Sequence, residues 1–413
     1  MLTPYRQLAA VPHLAAVLGW GLFGRLHLTC TSIALTFLVA EWTGSYAIAG
    51  VVVAATALGW GVGGPMRGRA ADRGEPSRQL LITGVVYAAG MTAIALLPAG
   101  AWPLAAVLAF GTGLAVPAAG QISRALYPRM ASGQVLHAAY TVEATLQELL
   151  FILGPMAAAI TVAVAGPRAA VGLCAALALL GAIGFAVVLR RGGLRAAAPR
   201  PPRPPPGEHG HGRLLAVPGL AAAIGVSLLM VAAFTAVDLA LVGWARERGT
   251  PALAGTLIAT WAIGSLIGGF VSGGITGRRA PRLWLRTAAL AAGIGALTLT
   301  MPPVTDGASP LLIAAVLVVG GTAIAPVAAT SNANIGLLAP GHRRSEAFGW
   351  LATARTTGSA LAAPGAGALL DAAGPAAATA AATLLALAAA ALAATVRVPE
   401  SESMVAVGDD RLP

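Results

Sequence analysis

The chain has 413 residues, of which 57% are apolar and 10% charged, and its mean hydropathy is +0.80. A soluble globular domain carries roughly 25% charged residues, so most of this chain's surface is unsuited to water and a long soluble protein is excluded. The formal charge of +11 comes from 26 basic residues, all of them arginine. Without lysine there is no Gly-Lys-Ser/Thr phosphate loop, which excludes an ATP-driven pump. Arginine without lysine, beside much alanine and glycine, suggests a GC-rich coding bias rather than chemistry. Cys30 and Cys174 fall inside apolar runs and read as small apolar fillers, not as a disulfide framework or a metal site.

A helix that crosses a bilayer needs ~20 mostly apolar residues. The first such run, 14–39, is long enough to span rather than be clipped as a signal peptide, and it carries Arg25 in its middle. Runs at 47–66, 79–98, 102–124, 138–165 and 168–189 follow. Residues 190–213 are polar, basic and proline-rich, the composition of an extended linker, and His209 and His211 within it are too few for a metal site. A second set of runs covers 214–243, 251–276, 283–302, 309–336, 346–370 and 374–396. The expected organisation is an N-terminal six-helix bundle over 1–189, the linker, a C-terminal six-helix bundle over 214–398 and a tail over 399–413.

Cytoplasmic loops retain positive charge. With the N-terminus inside, 21 of the 26 arginines fall on one face, Arg67, Arg69, Arg73, Arg124 and Arg286 among them. Arg168, Arg246 and Arg248 fall on the other, and Arg25 and Arg355 lie inside helices. This split predicts twelve spans in the inner (plasma) membrane with both termini cytoplasmic. It assigns the basic charge to topology and lipid headgroups, not to nucleic acid.

The two sets of runs repeat. At an offset of 205, Gly44, Gly50, Gly59, Gly63, Gly64, Gly68 and Arg73 match Gly249, Gly255, Gly264, Gly268, Gly269, Gly273 and Arg278. At an offset of 209, Gly111, Pro117, Ala138 and Pro155 match Gly320, Pro326, Ala347 and Pro364. Spans two, four and five therefore correspond to eight, ten and eleven. A parallel repeat of this kind places a binding site near the midplane between the halves.

After span two the chain reads Gly68-Arg69-Ala70-Ala71-Asp72-Arg73-Gly74-Glu75-Pro76-Ser77-Arg78. This resembles the loop signature G-x-L-A-D-R-x-G-R-R/K of the major facilitator superfamily: Gly68, Ala71, Asp72 and Arg73 match, and the second glycine and the basic pair are displaced or absent. The resemblance covers essentially the whole chain. It implies an all-α membrane fold of twelve helices in two six-helix bundles related by pseudo-two-fold symmetry. It further implies alternating access, a small-molecule substrate, no cofactor and a monomer among membrane lipids. In the family this aspartate faces the N-terminal end of helix eleven, here near Ser345, where the helix dipole favours a carboxylate. Gly68, Asp72 and Arg73 are thus expected as conformational-switch residues, an ordinary topogenic charge cluster being the other reading.

In span five, Gly154-Pro155 within LLFILGPMAAAI resembles the centre of the G-x-x-x-G-P-x-x-G-G antiporter motif of drug:proton exporters, though a packing kink explains Gly-Pro equally well. The arginine usual in helix four of that group is absent from LAAVLAFGTGLAVP. With the coding bias, these features point to a drug:proton antiporter-like efflux subgroup of actinobacterial source.

A charge at a helix centre costs ~2.5–3.5 kcal/mol on insertion scales, so each one retained is informative. Arg25, Glu148 and Arg355 lie ten or eleven residues past Leu14, Ala138 and Ser345, ~15–17 Å deep at 1.5 Å per residue. In the family, helices one and five are neighbours and helix eleven lines the cavity, which makes Arg25–Glu148 the expected ion pair and places Arg355 opposite. Glu148 is the expected proton carrier, a permanent structural bridge being the other reading, and Asp238 is an outer-gate or coupling candidate. Glu143, Gln147, His27 and Trp350 are expected at the substrate cavity, Glu143 being near enough to the cytoplasm to snorkel. Asn332 and Asn334 lie late in span ten, and Trp20, Trp60 and Trp261 read as cavity or interfacial aromatics. Two arginines and one glutamate suit an anionic or zwitterionic substrate better than a lipophilic cation.

The leading expectation is a proton-coupled exporter of small amphipathic molecules. An importer or exchanger of a specific metabolite is the alternative within that class, and a non-transporting sensor or lipid scramblase or flippase the alternative outside it. With no nucleophile elbow and no metal-ligand cluster in the sequence, an enzyme is not expected.

Overall fold

The computed structural model of the chain describes residues 3–194, 214–250, 252–274, 282–305 and 308–397. Residues 195–213 of the expected linker, with His209 and His211, Arg278 and Arg279, and the tail from 398 lie outside the described residues.

Within a bilayer every backbone N–H and C=O has to be satisfied internally, and long apolar helices do this. Among the described residues ten runs are long and apolar enough to span. One of them, Arg344–Thr395, is two helices meeting at the non-helical Gly374 (φ 79°), and Leu283–Leu299 is a shorter apolar helix. The result is twelve helices. In the first half these are α1 (Leu14–Thr43), α2 (Tyr46–Arg73), α3 (Pro76–Leu96), α4, α5 (Gly133–Ala165) and α6 (Pro167–Arg191). In the second half they are α7 (Leu220–Glu247), α8 (Ala252–Gly274), α9 (Leu283–Leu299), α10, α11 (344–373) and α12 (375–395). Two are broken: α4 into Trp102–Leu114 and Ala119–Met130, and α10 into Pro310–Gly321 and Ile324–Leu338. A short helix, Thr3–Ala10, precedes α1 and packs against α5 and α8.

The boundaries shift what the sequence places in loops. α2 continues to Arg73, seven residues past its expected end, so Gly68, Asp72 and Arg73 sit on the helix rather than in the loop after it. α4 continues past its break to Met130, six residues beyond its expected end, so Arg124 lies inside the helix rather than at its last residue. α5 begins at Gly133, five residues early. Polar residues on a terminal turn lower the local hydropathy and so look like loop, although the helix goes on.

Three apolar cores organise the molecule. One lies wholly in the first half, around Leu35, Tyr87 and Cys174. A second lies wholly in the second half, around Trp244, Leu290 and Ile313. The third joins the halves and includes Leu126, Tyr140, Ala329 and Phe348. This shared core lies toward the arginine-rich face, where α2 and α4 pack on α11, and α5 packs on α8 and α10. The two halves thus meet toward one face and keep separate cores toward the other.

Candidate functional site

The face where the halves meet is closed around the start of α11. Asp72 Oδ1 accepts from the backbone N–H of Ser345 at 3.0 Å and Oδ2 from that of Glu346 at 2.8 Å. These N–H groups have no partner inside their own helix, and the positive end of the helix dipole adds its attraction, worth ~0.3–1 kcal/mol and up to ~2 in partly buried geometry. Gly68, one turn earlier on α2, lies against the Ser345 carbonyl, and a Cβ there would overlap it. Arg69 Nη2 reaches Glu346 Oε1 at 2.7 Å across the halves, and Arg343 holds Oε2 of the same carboxylate at 2.9 Å. Arg73 is exposed at the end of α2. The cross-half ion pair at the closure is made not by the expected Arg73 but by Arg69, one turn earlier.

Above this closure, between the halves, is a cavity of about 370 Å³. Three helices lose their regularity beside it, and arginines occupy the gaps in two of them. Pro117 has no N–H to offer the Gly113 carbonyl, so α4 breaks. Arg67 Nη1 bonds the released carbonyls instead, Gly113 at 3.0 Å and Leu114 at 2.7 Å, while Nη2 bonds Trp60 O at 3.0 Å. α1 is interrupted at Gly24–Arg25, where Arg25 Nε folds back on Gly21 O at 3.0 Å. On α5, Pro155 withdraws another N–H, and Thr29 of α1 donates to Leu150 O at 2.9 Å. Gly154 makes that crossing possible, because a Cβ there would strike the Thr29 hydroxyl.

The expected Arg25–Glu148 pair does not form. Glu143 lies on the inner face of α5, fully buried, and its Oε1 takes both Arg25 Nη2 at 2.8 Å and Arg124 Nε at 2.9 Å. It does not snorkel. Gln147, one turn on, accepts from Arg25 Nη1 at 3.1 Å and Arg124 Nη2 at 2.9 Å. Glu148 is turned by ~100° from Gln147, and its Oε1 accepts from Ser265 of α8 at 3.0 Å, a contact between the halves.

Arg25, Arg67, Arg124, Gln147 and Arg355 line the cavity, and Arg355 Nη2 donates to Asn332 at 3.2 Å. Trp60, Phe151 and Phe348 form apolar wall, and the Arg124 guanidinium lies 6.0 Å from the Phe348 ring centre.

Other expected cavity residues lie elsewhere. His27 is fully buried in the first half, edge-on to Tyr87 with ring centres 4.7 Å apart, because two residues past Arg25 the side chain turns to the bundle interior. Trp350 packs on the shared core and is not in the cavity wall, nor is Trp261, buried against Phe234. Trp20 is partly exposed beside Phe23. Asp238 is half-buried on α7, away from that wall.

Sequence reasoning missed Arg67 and Arg124, 5% and 7% exposed, by counting both among the topogenic charges of the cytoplasmic face. Pro117 carried the missing signal: a helix broken there restarts and holds Arg124 within the membrane. Arg286 was missed in the same way; it is buried at the start of α9 and bonds Pro326 O at 3.1 Å and the Thr330 hydroxyl. Among the described residues no group of three His, Cys, Asp or Glu side chains is placed to hold a metal.

The profile of the Major Facilitator Superfamily matches residues 16–308 and 223–410. No curated protein matches by sequence. Among solved structures, the fold is similar to a bacterial homologue of the iron transporter ferroportin in an outward-facing state, at 13% identity and TM-score 0.73, covering 92% of this chain and 98% of that one. It is also similar to the human organic anion transporter MFSD10, at 17% identity and TM-score 0.64, covering 92% and 99%. The proton:xylose symporter XylE matches at 15% identity and TM-score 0.67, covering 92% and 94%. At these identities the likeness is one of fold.

Proposed function

Since the chain belongs to the Major Facilitator Superfamily, we propose that it is a secondary active transporter that exports small amphipathic molecules by alternating access, driven by the proton gradient. The positive-inside rule favours the arginine-rich face as cytoplasmic, with both termini inside, and the proposed membrane is the inner (plasma) membrane. On that assignment the halves are closed toward the cytoplasm, with Asp72 and Gly68 at the closure.

The observation that carries the coupling is Glu148 in contact with Ser265, a carboxylate in the middle of α5 bonded to the opposite half. An ionised carboxylate only accepts hydrogen bonds, and a proton on it weakens its hold on a donated hydroxyl. Loading Glu148 therefore loosens a bond that joins the two halves, which links proton uptake to their separation. Glu143, locked between two arginines, sets the polarity of the cavity instead. The Gly154-Pro155 crossing and the lysine-free composition support the drug:proton antiporter subgroup and an actinobacterial source. The division into bundles 1–189 and 214–398, the linker and tail, and a monomer embedded in lipid complete the proposal. Exchange of one specific metabolite is the second reading, favoured by the density of polar groups on the cavity wall.

Everted membrane vesicles from expressing cells test this reading. A panel of acidic, neutral and basic amphipathic compounds is added while an internal pH dye is followed. Export predicts proton release with several compounds, and resistance to the same compounds in growing cells. A specific exchanger responds to one compound without moving protons. Proton release by none of the panel contradicts the proposal.

A further inference from the structure

The cavity holds more positive charge than the protein neutralises. Arg25 and Arg124 share one carboxylate, Glu143, and only one of its oxygens; Oε2 is buried without a hydrogen-bond partner. Arg355 has a neutral partner, Asn332, and no carboxylate within ion-pair distance among the described residues. Arg67 spends both Nη groups on carbonyls and leaves Nε buried and unpartnered. Glu148 offsets none of them by direct contact, since its oxygen serves Ser265. A guanidinium inside a membrane is expensive and persists where it meets water or an anion.

A second feature points the same way. The lower piece of α4 starts at Ala119, and Pro117, Ala118, Gly120 and Gln121 line the cavity at that start. The positive end of a discontinuous helix, with its unbonded N–H groups, favours negative charge. The Arg25 guanidinium lies against Gly120 in this first turn. Two sources of positive potential, side chains and backbone, thus converge on one corner of a cavity whose remaining wall is mostly apolar, with Leu28, Trp60, Phe151 and Phe348.

We infer that the transported molecule is an amphipathic organic anion. Its carboxylate-type group sits among Arg25, Arg124 and Arg355 at the break of α4, and its apolar body lies along Trp60, Phe151 and Phe348. This rests on the transporter reading above but not on proton coupling. A neutral molecule leaves the guanidiniums unsatisfied, and a cation is repelled.

Three probes sharing one ring system test the assignment: 2-naphthoate, 2-naphthamide and 2-naphthylmethylammonium, titrated calorimetrically into the purified full-length chain. Naphthoate is expected to bind at least about tenfold more tightly than the amide, with the ammonium weakest. Arg355→Gln should lose about tenfold in naphthoate affinity while leaving the amide unchanged, and Arg355→Lys should recover part of the loss. Glu143→Gln frees two guanidiniums and should tighten naphthoate several-fold, a gain that a misfolded protein does not show. Equal binding of the three probes, preference for the ammonium, no naphthoate binding, or a naphthoate-to-amide ratio untouched by Arg355→Gln overturns the inference. In vesicles, proton release with the ammonium probe alone sinks the anion assignment and leaves coupling standing. Tight naphthoate binding without proton movement does the reverse.

Discussion

The two halves build the same break in their fourth helix and furnish it differently. α4 and α10 are both interrupted near a proline, at Pro117 and Pro326, and an arginine from elsewhere in the same half bonds backbone near each break. Around α4 lie Arg25, Arg124, Glu143 and Gln147, a charged network buried in one half. Around α10 the partners are mostly neutral: Ser227 with Ser331 at 2.9 Å, and Asn332 receiving Arg355. The repeat preserves the backbone device, and the charge is concentrated on one side of it. On the proposed reading, recognition falls mainly to the first half, while the second supplies Arg355, part of the apolar wall and the surface that α5 grips through Ser265.

The sharpest break of this asymmetry is Arg124→Leu. It removes two hydrogen bonds of a buried charged group, to Glu143 and Gln147, each worth ~1.5–3 kcal/mol, read as a large fall in thermal midpoint together with loss of transport. The corresponding cut in the second half, Ser331→Ala, removes one neutral hydrogen bond and should cost only about 1 kcal/mol. Equal losses would mean that the network is not special to the first half.

The closure gives two intermediate tests. Gly68→Val forces a side chain into the Ser345 carbonyl; such overpacking costs ~1–3 kcal/mol and here opposes only the closed arrangement. Double electron–electron resonance between labels on α2 and α11 should show the arginine-rich ends moving apart. Asp72→Asn keeps the shape and loses the charge at the start of α11, a change worth ~1–2 kcal/mol at most. The closed-to-open ratio should fall by up to about thirtyfold by the same measurement.

The smallest effects separate neighbours. Arg69→Ala removes a half-exposed ion pair and should cost a few tenths to ~1 kcal/mol of closure. Arg73→Ala, on an exposed side chain, should leave the ratio unchanged. The reverse ranking would restore Arg73 as the switch residue.

Much of this arrangement is legible before folding. Uninterrupted apolar stretches report the spans, and the glycine and proline offsets report the repeat, because both are local properties of the chain. The nearness of Asp72 to Ser345 came from the family signature, since nothing between residues 72 and 345 encodes it locally. The charged network was harder to read. Charge patterning counts Arg67, Arg124 and Arg286 with the topogenic arginines because they lie on or beside the ends of the apolar runs, yet the helices run through them and bury them. Which acid meets Arg25 depends on the rotation of α5. Glu143 and Gln147, four apart, face α1 and α4, and Glu148, one residue further, faces α8. A rotation of ~100° separates the pair bonded to Arg25 and Arg124 from the coupling candidate, and the sequence pattern of an all-round apolar helix does not record it.

The central claim is that Glu148, not Glu143, carries the coupling proton. Its most direct test uses proteoliposomes holding wild type or Glu148→Gln, with a pH dye inside and a compound that wild type transports. The account predicts that Glu148→Gln still exchanges labelled for unlabelled substrate but moves no protons on substrate addition. Substrate-evoked proton movement in Glu148→Gln at the wild-type ratio would contradict it.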